Sequence, residues 1–277
     1  MTWFSNAGDD RGGIWCGDAF QIVDELVRLK GGPIADVVIT DPPFGESTVK
    51  GARSGTTNPG DPQRKLIAGE RQYAAWSPAQ TLAYCELMGR AARRWVIVFT
   101  DYHYWPWLDG TIGTVPGLQW VRAGVWLKPN GTPQLTGDRP AHSFEAIAIM
   151  HVAGSRLRWN GGGGRAEWDM RAEAAEPDMA VAWRVPVERD AVHATRKPAR
   201  LLRDLILQFS DPGETILDAC AGSGSTLITA LSLGRRALGV ELDPTFARYA
   251  AAGMQAAPVP LFTGDGGDMP YQMGMEV

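Results

Sequence analysis

The stretch Thr215-Ile216-Leu217-Asp218-Ala219-Cys220-Ala221-Gly222-Ser223-Gly224-Ser225-Thr226 decides the fold. An apolar, β-branched run stops at Asp218, small residues fill the turn, and an apolar helical pattern follows from Thr226 to Leu233. Ala237-Leu238-Gly239-Val240-Glu241 then reads as a second strand, so the segment is a βαβ unit. A small-residue turn between strand and helix lets backbone approach a ligand closely and exposes a helix N-terminus. Glu241 follows Gly222 by 19 residues, the spacing at which an acid can accept hydrogen bonds from ribose hydroxyls. A nucleotide-like group is therefore expected at Asp218, Ala219, Cys220, Gly222, Gly224, Ser225, Thr226 and Glu241. Two common nucleotide motifs are excluded: Leu227 stands where the dinucleotide fingerprint has its third glycine, and no GxxxxGK[ST] occurs.

Upstream, the same alternation of strand and helix recurs. Ile14 to Cys16 reads as a strand stopped by Gly17-Asp18, and Phe20, Val23, Leu26 and Val27 give Ala19 to Leu29 a helical period. Ala35 to Thr40 is a β-branched strand that must end at Asp41-Pro42-Pro43, because proline cannot donate to a sheet ladder. Ser77-Pro78 opens another helix, Arg94 to Thr100 is a buried-type strand, and Trp120 to Leu127 and Ala146 to Met150 supply two more. Residues 45–75, rich in Gly, Ser, Thr, Pro, Arg and Lys and without period, are expected to be a mobile loop able to close over a ligand. The alternation breaks from 151 to 190, a stretch with four consecutive glycines (Gly161 to Gly164) and three tryptophans. The expected organisation is one catalytic domain, 1–150 with 191–277, carrying a small insertion at 151–190.

Composition narrows the classes. No apolar run approaches the roughly 20 residues that span a bilayer, and the N-terminus lacks the pattern of a secretory signal, so a cytoplasmic location is expected. Cys16, Cys85 and Cys220 are too few and too far apart for a disulfide framework or a metal knuckle, so neither disulfide nor metal is expected. The formal net charge is -4, but it is unevenly spread. Residues 151–203 hold nine Arg and one Lys against seven acids, whereas 204–277 hold three Arg against nine acids. The overall charge speaks against a nucleic-acid partner, and the basic side in the middle of the chain is either a solvated surface or a face for nucleic acid.

Asp41-Pro42-Pro43-Phe44 carries the chemistry. An exocyclic amine of adenine or cytosine is a poor nucleophile because its lone pair is delocalised into the ring. The Asp41 carboxylate and the Pro42 carbonyl can each accept one amino proton and steer the nitrogen toward tetrahedral geometry. Pro42 and Pro43 stiffen the loop, and Phe44 offers a face on which a base swung out of a duplex can stack. Trp126 and Lys128 are further pocket candidates. Cytosine C5 chemistry is excluded by the absence of a Pro-Cys pair.

These residues resemble the amino-methyltransferases of DNA, which join an Asp/Asn/Ser-Pro-Pro-aromatic motif to a Gly-rich S-adenosylmethionine motif. His193-Ala194-Thr195-Arg196-Lys197-Pro198 resembles the family's His-x-Thr-x-Lys-Pro segment, implying that Thr195 and Lys197 help hold the cofactor's methionine end. Gly17-Asp18 resembles the segment whose acid, here Asp18, contacts the cofactor's adenine. The catalytic motif precedes the cofactor motif, which looks like the permuted β class. That resemblance implies a Rossmann-like α/β fold with a seven-stranded, mostly parallel sheet and helices on both faces, and target recognition within 151–190. It also implies S-adenosylmethionine as cofactor and double-stranded DNA as partner, with a homodimer open. The family usually has Phe where Cys220 stands, so the aromatic contact to the cofactor is expected either to be weaker or to come from elsewhere. Asp at position 41 resembles the adenine-modifying group more than the Ser-led cytosine group, so N6 of adenine is the expected target and N4 of cytosine the alternative. A non-catalytic relative that binds cofactor and nucleic acid is the remaining alternative, and intact Asp41 and Phe44 speak against it.

Overall fold

The computed structural model describes residues 2–5, 11–45, 75–128, 138, 140, 142–170 and 197–258. In chain order its elements are β1 (Thr2–Ser5), β2 (Gly12–Cys16), α1 (Ala19–Lys30), β3 (Ala35–Thr40), α2 (Pro78–Ala91), β4 (Ala92–Thr100), α3 (Trp105–Ile112), β5 (Leu118–Leu127), β6 (Phe144–Val152), β7 (Glu167–Asp169), α4 (Ala199–Phe209), β8 (Thr215–Asp218), α5 (Ser225–Ser232), β9 (Arg236–Glu241) and α6 (Pro244–Ala256).

The strands form one sheet in the order β1-β2-β9-β8-β3-β4-β6-β5-β7. β2, β9, β8, β3 and β4 run parallel, while β6 is antiparallel to both β4 and β5. The mostly parallel sheet is as expected, but it has nine strands rather than seven. The two additions are the edge strands: four-residue β1, antiparallel to β2, and three-residue β7, parallel to β5. Both are too short for an alternating pattern to announce them, and both exist by pairing with a longer neighbour.

Side-chain alternation sends each central strand into two cores. Val37, Ile39, Ile97, Phe99 and Ile216 pack on one face with Leu202, Leu205 and Ile206 of α4, Leu227 and Leu231 of α5 and Met254 of α6. Val38, Val96, Val98 and Leu217 pack on the other with Ile22 and Val23 of α1, Tyr84 and Met88 of α2 and Leu108 of α3. Helices therefore cover both faces. The helix starts follow local chemistry: Ser77 and Gln80 form a reciprocal capping box ahead of α2, and Asp18 and Asp243 cap α1 and α6.

Of the stretch 151–190, the described part joins the sheet. His151 and Val152 finish β6, Glu167–Asp169 is β7, and Trp168 is buried in the core. Residues 171–190, and 46–74 of the expected loop, lie outside the described residues, as do His193 and Thr195. Among the described residues no helix is long and apolar enough to cross a membrane.

Candidate active site

β8 continues through α5 to β9 on one side of the sheet, while β3 continues through α2 to β4 on the other. The chain thus diverges between β8 and β3, and an open α/β sheet binds ligands beyond the carboxyl ends of its strands at such a point. The Gly-rich turn follows β8 and Asp41 follows β3, so the two motifs flank this switch point. Asp18 and Glu241 sit at the ends of β2 and β9, where the Gly17 N–H donates to the Glu241 carbonyl at 2.9 Å.

Asp218, expected among the cofactor residues, is a buried anchor for the turn. Its Oδ1 accepts from the Cys220 N–H at 3.1 Å and from Thr40 Oγ1 at 2.9 Å. Thr40 immediately precedes Asp41, so this bond ties the two motifs together. The Tyr84 hydroxyl lies 2.8 Å from Thr40 Oγ1 and 3.4 Å from Cys220 Sγ, behind the turn. Burial pushes the Asp218 carboxyl up to about 6 against the hydrogen bonds it accepts. Gly222 and Gly224 have φ of 51° and 82°, a left-handed backbone that glycine adopts without steric cost. Glu241 Oε2 accepts from the Gly222 N–H at 2.7 Å and its Oε1 from the Asp243 N–H at 2.8 Å. Each oxygen keeps acceptor capacity for a hydroxyl. Asp18 Oδ1 accepts from the Gln21 N–H at 3.0 Å.

Beyond β3, the Asp41 side chain is 26% exposed and its Oδ2 contacts Lys197 Nζ at 2.5 Å. The other oxygen, Oδ1, is buried and has no hydrogen-bond partner among the described residues. Lys197 is shared: Glu145 Oε2 lies 3.2 Å from its Nζ, and Lys128 Nζ approaches Glu145 Oε1 at 2.5 Å. The ammonium also sits over the rings of Phe44, at 5.6 Å, and Phe99, at 4.9 Å. Burial raises the Asp41 carboxyl above the ordinary range, and Glu145 adds to this more weakly than Lys197 opposes it. For Glu145, burial acts upward but Lys197 and Lys128 outweigh it and hold the group below the ordinary range. Burial likewise disfavours the Lys197 ammonium, yet Asp41 and then Glu145 hold it protonated above its usual range. The two carboxylates on one lysine are thus shifted in opposite directions, Asp41 upward and Glu145 downward.

Lys197, expected to help hold the cofactor's methionine end, is therefore found bound to Asp41 and Glu145. Of the two weaker candidates, Lys128 completes the charge chain and Trp126 is buried with Lys128 over its ring at 5.4 Å. Glu145 and Tyr84 were not anticipated. A single acid near a strand start and a tyrosine on a core-facing helix carry no motif, and only pairing with β4 and packing of α2 bring them to the site. Phe20, Trp76 and Tyr84 form an aromatic group with ring centroids 5.0 to 5.8 Å apart, near Cys220 on the same side of the sheet. The Trp76 N–H donates to the Phe44 carbonyl at 3.2 Å and its carbonyl accepts from the Tyr104 hydroxyl at 2.9 Å. Among the described residues no group of three or more His, Cys, Asp or Glu is placed to hold a metal ion.

Known proteins share the fold and identify the family. The Type II methyltransferase M.XycI of Xanthomonas campestris pv. cyanopsidis is 29% identical over 136 residues, 47% of this chain and 43% of that protein. The match thus spans less than half of that relative's length. The M1.HpyAVI–SAM complex superposes with a TM-score of 0.61 at 18% identity, covering 88% of this chain and 98% of that one. The cytosine-N4-specific PvuII DNA methyltransferase gives a TM-score of 0.61 at 14% identity, covering 88% and 86%. These two likenesses show the shared fold. The family model for N6/N4 methyltransferases, described as DNA methylase, matches residues 35–252, from the start of β3 into α6. By that match, which takes in both the Asp41 motif and the Gly-rich turn, the chain belongs to the DNA methylase family.

Proposed function

We propose that this chain transfers a methyl group from S-adenosylmethionine to the exocyclic N6 of adenine in double-stranded DNA, at a specific site and on a flipped-out base. The observation that carries the reading is Asp41 Oδ1: a buried carboxylate oxygen without a partner among the described residues, at the carboxyl end of β3 and next in sequence to Pro42. A buried acceptor left unpaired costs about 1–3 kcal/mol, so its retention points to a donor that arrives with the substrate.

The residues present fit the cofactor. The turn at Gly222 and Gly224 gives backbone access, Glu241 offers acceptors for ribose hydroxyls, and the second oxygen of Asp18 remains for an adenine amine. Phe20 and Trp76, packed on the buried Tyr84 ring, supply the aromatic surface that Cys220 does not. Bound there, S-adenosylmethionine supplies an electrophilic methyl group on a sulfonium.

The chain's own groups do the rest. Asp41 Oδ1 accepts one N–H of the target amine and the Pro42 carbonyl accepts the other, drawing the lone pair out of conjugation and toward the methyl carbon. As the N–C bond forms and the S–C bond breaks, the nitrogen gains positive charge, which the carboxylate stabilises in a poorly solvated site. Asp41, kept basic by burial and by Glu145, then takes the surplus proton. Lys197 fixes the orientation of the carboxylate by occupying Oδ2, so that Oδ1 faces the amine.

Purified protein, methyl-labelled S-adenosylmethionine and amplified, hence unmethylated, DNA test this, with digestion to nucleosides. Labelled N6-methyladenine is expected. No labelled nucleoside refutes methyl transfer to DNA, and labelled N4-methylcytosine refutes adenine alone.

A further inference from the structure

Beyond the carboxyl end of β4, next to the strand that leads to Asp41, four rings lie in series, of which Tyr102 and His142 are stacked and the others tilted. The Tyr102 ring lies 3.9 Å from His103 and 4.4 Å from His142, nearly parallel to the latter at 28°. His142 continues to Phe144 at 4.6 Å. Phe144 directly precedes Glu145, so the column begins one residue from the chain Glu145–Lys197–Asp41.

The column is exposed but built. Tyr102 is 37% exposed, and His142 and His103 also face solvent. The turn that presents them is fixed by Asp101, whose fully buried carboxylate accepts the His103 backbone N–H and contacts His103 Nδ1, each at 2.9 Å. The Tyr104 N–H closes the turn on the Asp101 carbonyl at 2.9 Å. Rings held rigid in advance lose little entropy on binding. Burial, and then Lys128, hold His142 below its ordinary value, so its ring is neutral and presents a flat π face at neutral pH.

We propose that the Tyr102–His142 column is a stacking platform for an unpaired DNA base beside the target, outside the pocket in front of Asp41. This rests on the function proposed above. Extrusion of one base leaves a neighbour or an orphaned partner without its stack, and any base can stack on an aromatic face, whereas recognition by hydrogen bonding needs a defined sequence. Lys128, 30% exposed and next to His142 in the field of the site, adds a positive charge suited to the accompanying phosphate.

Kinetics on amplified, unmethylated DNA with wild type, Tyr102→Leu, Tyr102→Phe and His142→Ala test it. Tyr102→Leu and His142→Ala are expected to raise KM for DNA about tenfold, with KM for S-adenosylmethionine and the thermal midpoint unchanged. Tyr102→Phe, which keeps the ring, stays within twofold of wild type. The inference is overturned if Tyr102→Leu leaves KM for DNA within twofold, or if the variants raise both KM values alike. A wild type that methylates no DNA defeats the proposed function instead.

Discussion

Replacing Glu145 by Gln removes one of the two carboxylates on Lys197 while keeping shape and a hydrogen-bonding oxygen. Asp41 Oδ2 and Glu145 Oε2 both contact Lys197 Nζ, at 2.5 and 3.2 Å, so they lie roughly 6 Å apart at most. Two unit charges at roughly 6 Å interact by about 3 kcal/mol at an effective dielectric of about 20. The sign follows from the charges: Glu145 raises the Asp41 carboxyl, so Glu145→Gln lowers it. Two effects follow in the pH profile of single-turnover methyl transfer. The acidic limb, set by protonation of Asp41, moves to lower pH, and the plateau rate falls about tenfold because a weaker base takes the amine proton. Lys128 loses its partner at the same time, so a loss of stability of a few kcal/mol accompanies the change. Rates are therefore compared at a temperature where circular dichroism finds both proteins folded. Glu145→Asp, which keeps the charge, restores the acidic limb. An acidic limb that stays in place in folded Glu145→Gln refutes the role assigned to Glu145.

Three further outcomes follow from the turn and its supports. The Asp218 carboxyl is raised to about 6 in the folded protein from an ordinary 3.8, so the folded state holds the proton more tightly than the unfolded one. Its contribution is therefore most favourable below about pH 4 and is lost as pH rises to about 6, by about 3 kcal/mol. Denaturant titrations from pH 4 to 7 should show this decline in wild type and its absence in Asp218→Asn; parallel curves contradict it. Gly224→Ala forces a left-handed backbone on alanine and puts its Cβ 2.7 Å from the Cβ of Ala250. A loss of about 3 kcal/mol in urea unfolding is expected, and a change below about 0.5 kcal/mol contradicts the packing described. Glu241→Gln keeps the fold but weakens S-adenosylmethionine binding about tenfold by calorimetry, and an unchanged Kd removes Glu241 from the cofactor site.

Local signals made the framework legible. The run from Thr215 to Glu241 and the proline stop after Thr40 are short-range features, and strands and helices formed where these patterns put them. The edge strands β1 and β7 and the helices α3 and α6 were not anticipated. The edge strands are three or four residues long and exist through pairing, and Trp105 to Ile112, with a proline, a glycine and two bulky aromatics, has no clean helical period. At the site, the same division holds. Asp41, Asp218 and Glu241 were readable because each ends a strand beside a turn. Glu145 was not, because its meaning depends on β6 lying antiparallel to β4 with Ala146 opposite Thr100, a pairing between residues 46 positions apart. The motif around Lys197 points only to the cofactor, and its contact with an acid 156 residues away is visible only in three dimensions.

The central claim is that Asp41 activates the amine and does not merely support the fold. It is tested most directly by single-turnover transfer from labelled S-adenosylmethionine to amplified, unmethylated DNA with Asp41→Ala, alongside cofactor affinity measured by calorimetry. The account predicts cofactor binding within a few fold of wild type and a transfer rate lower by about 10²–10⁴. A variant that binds the cofactor and still transfers methyl groups within tenfold of the wild-type rate contradicts it.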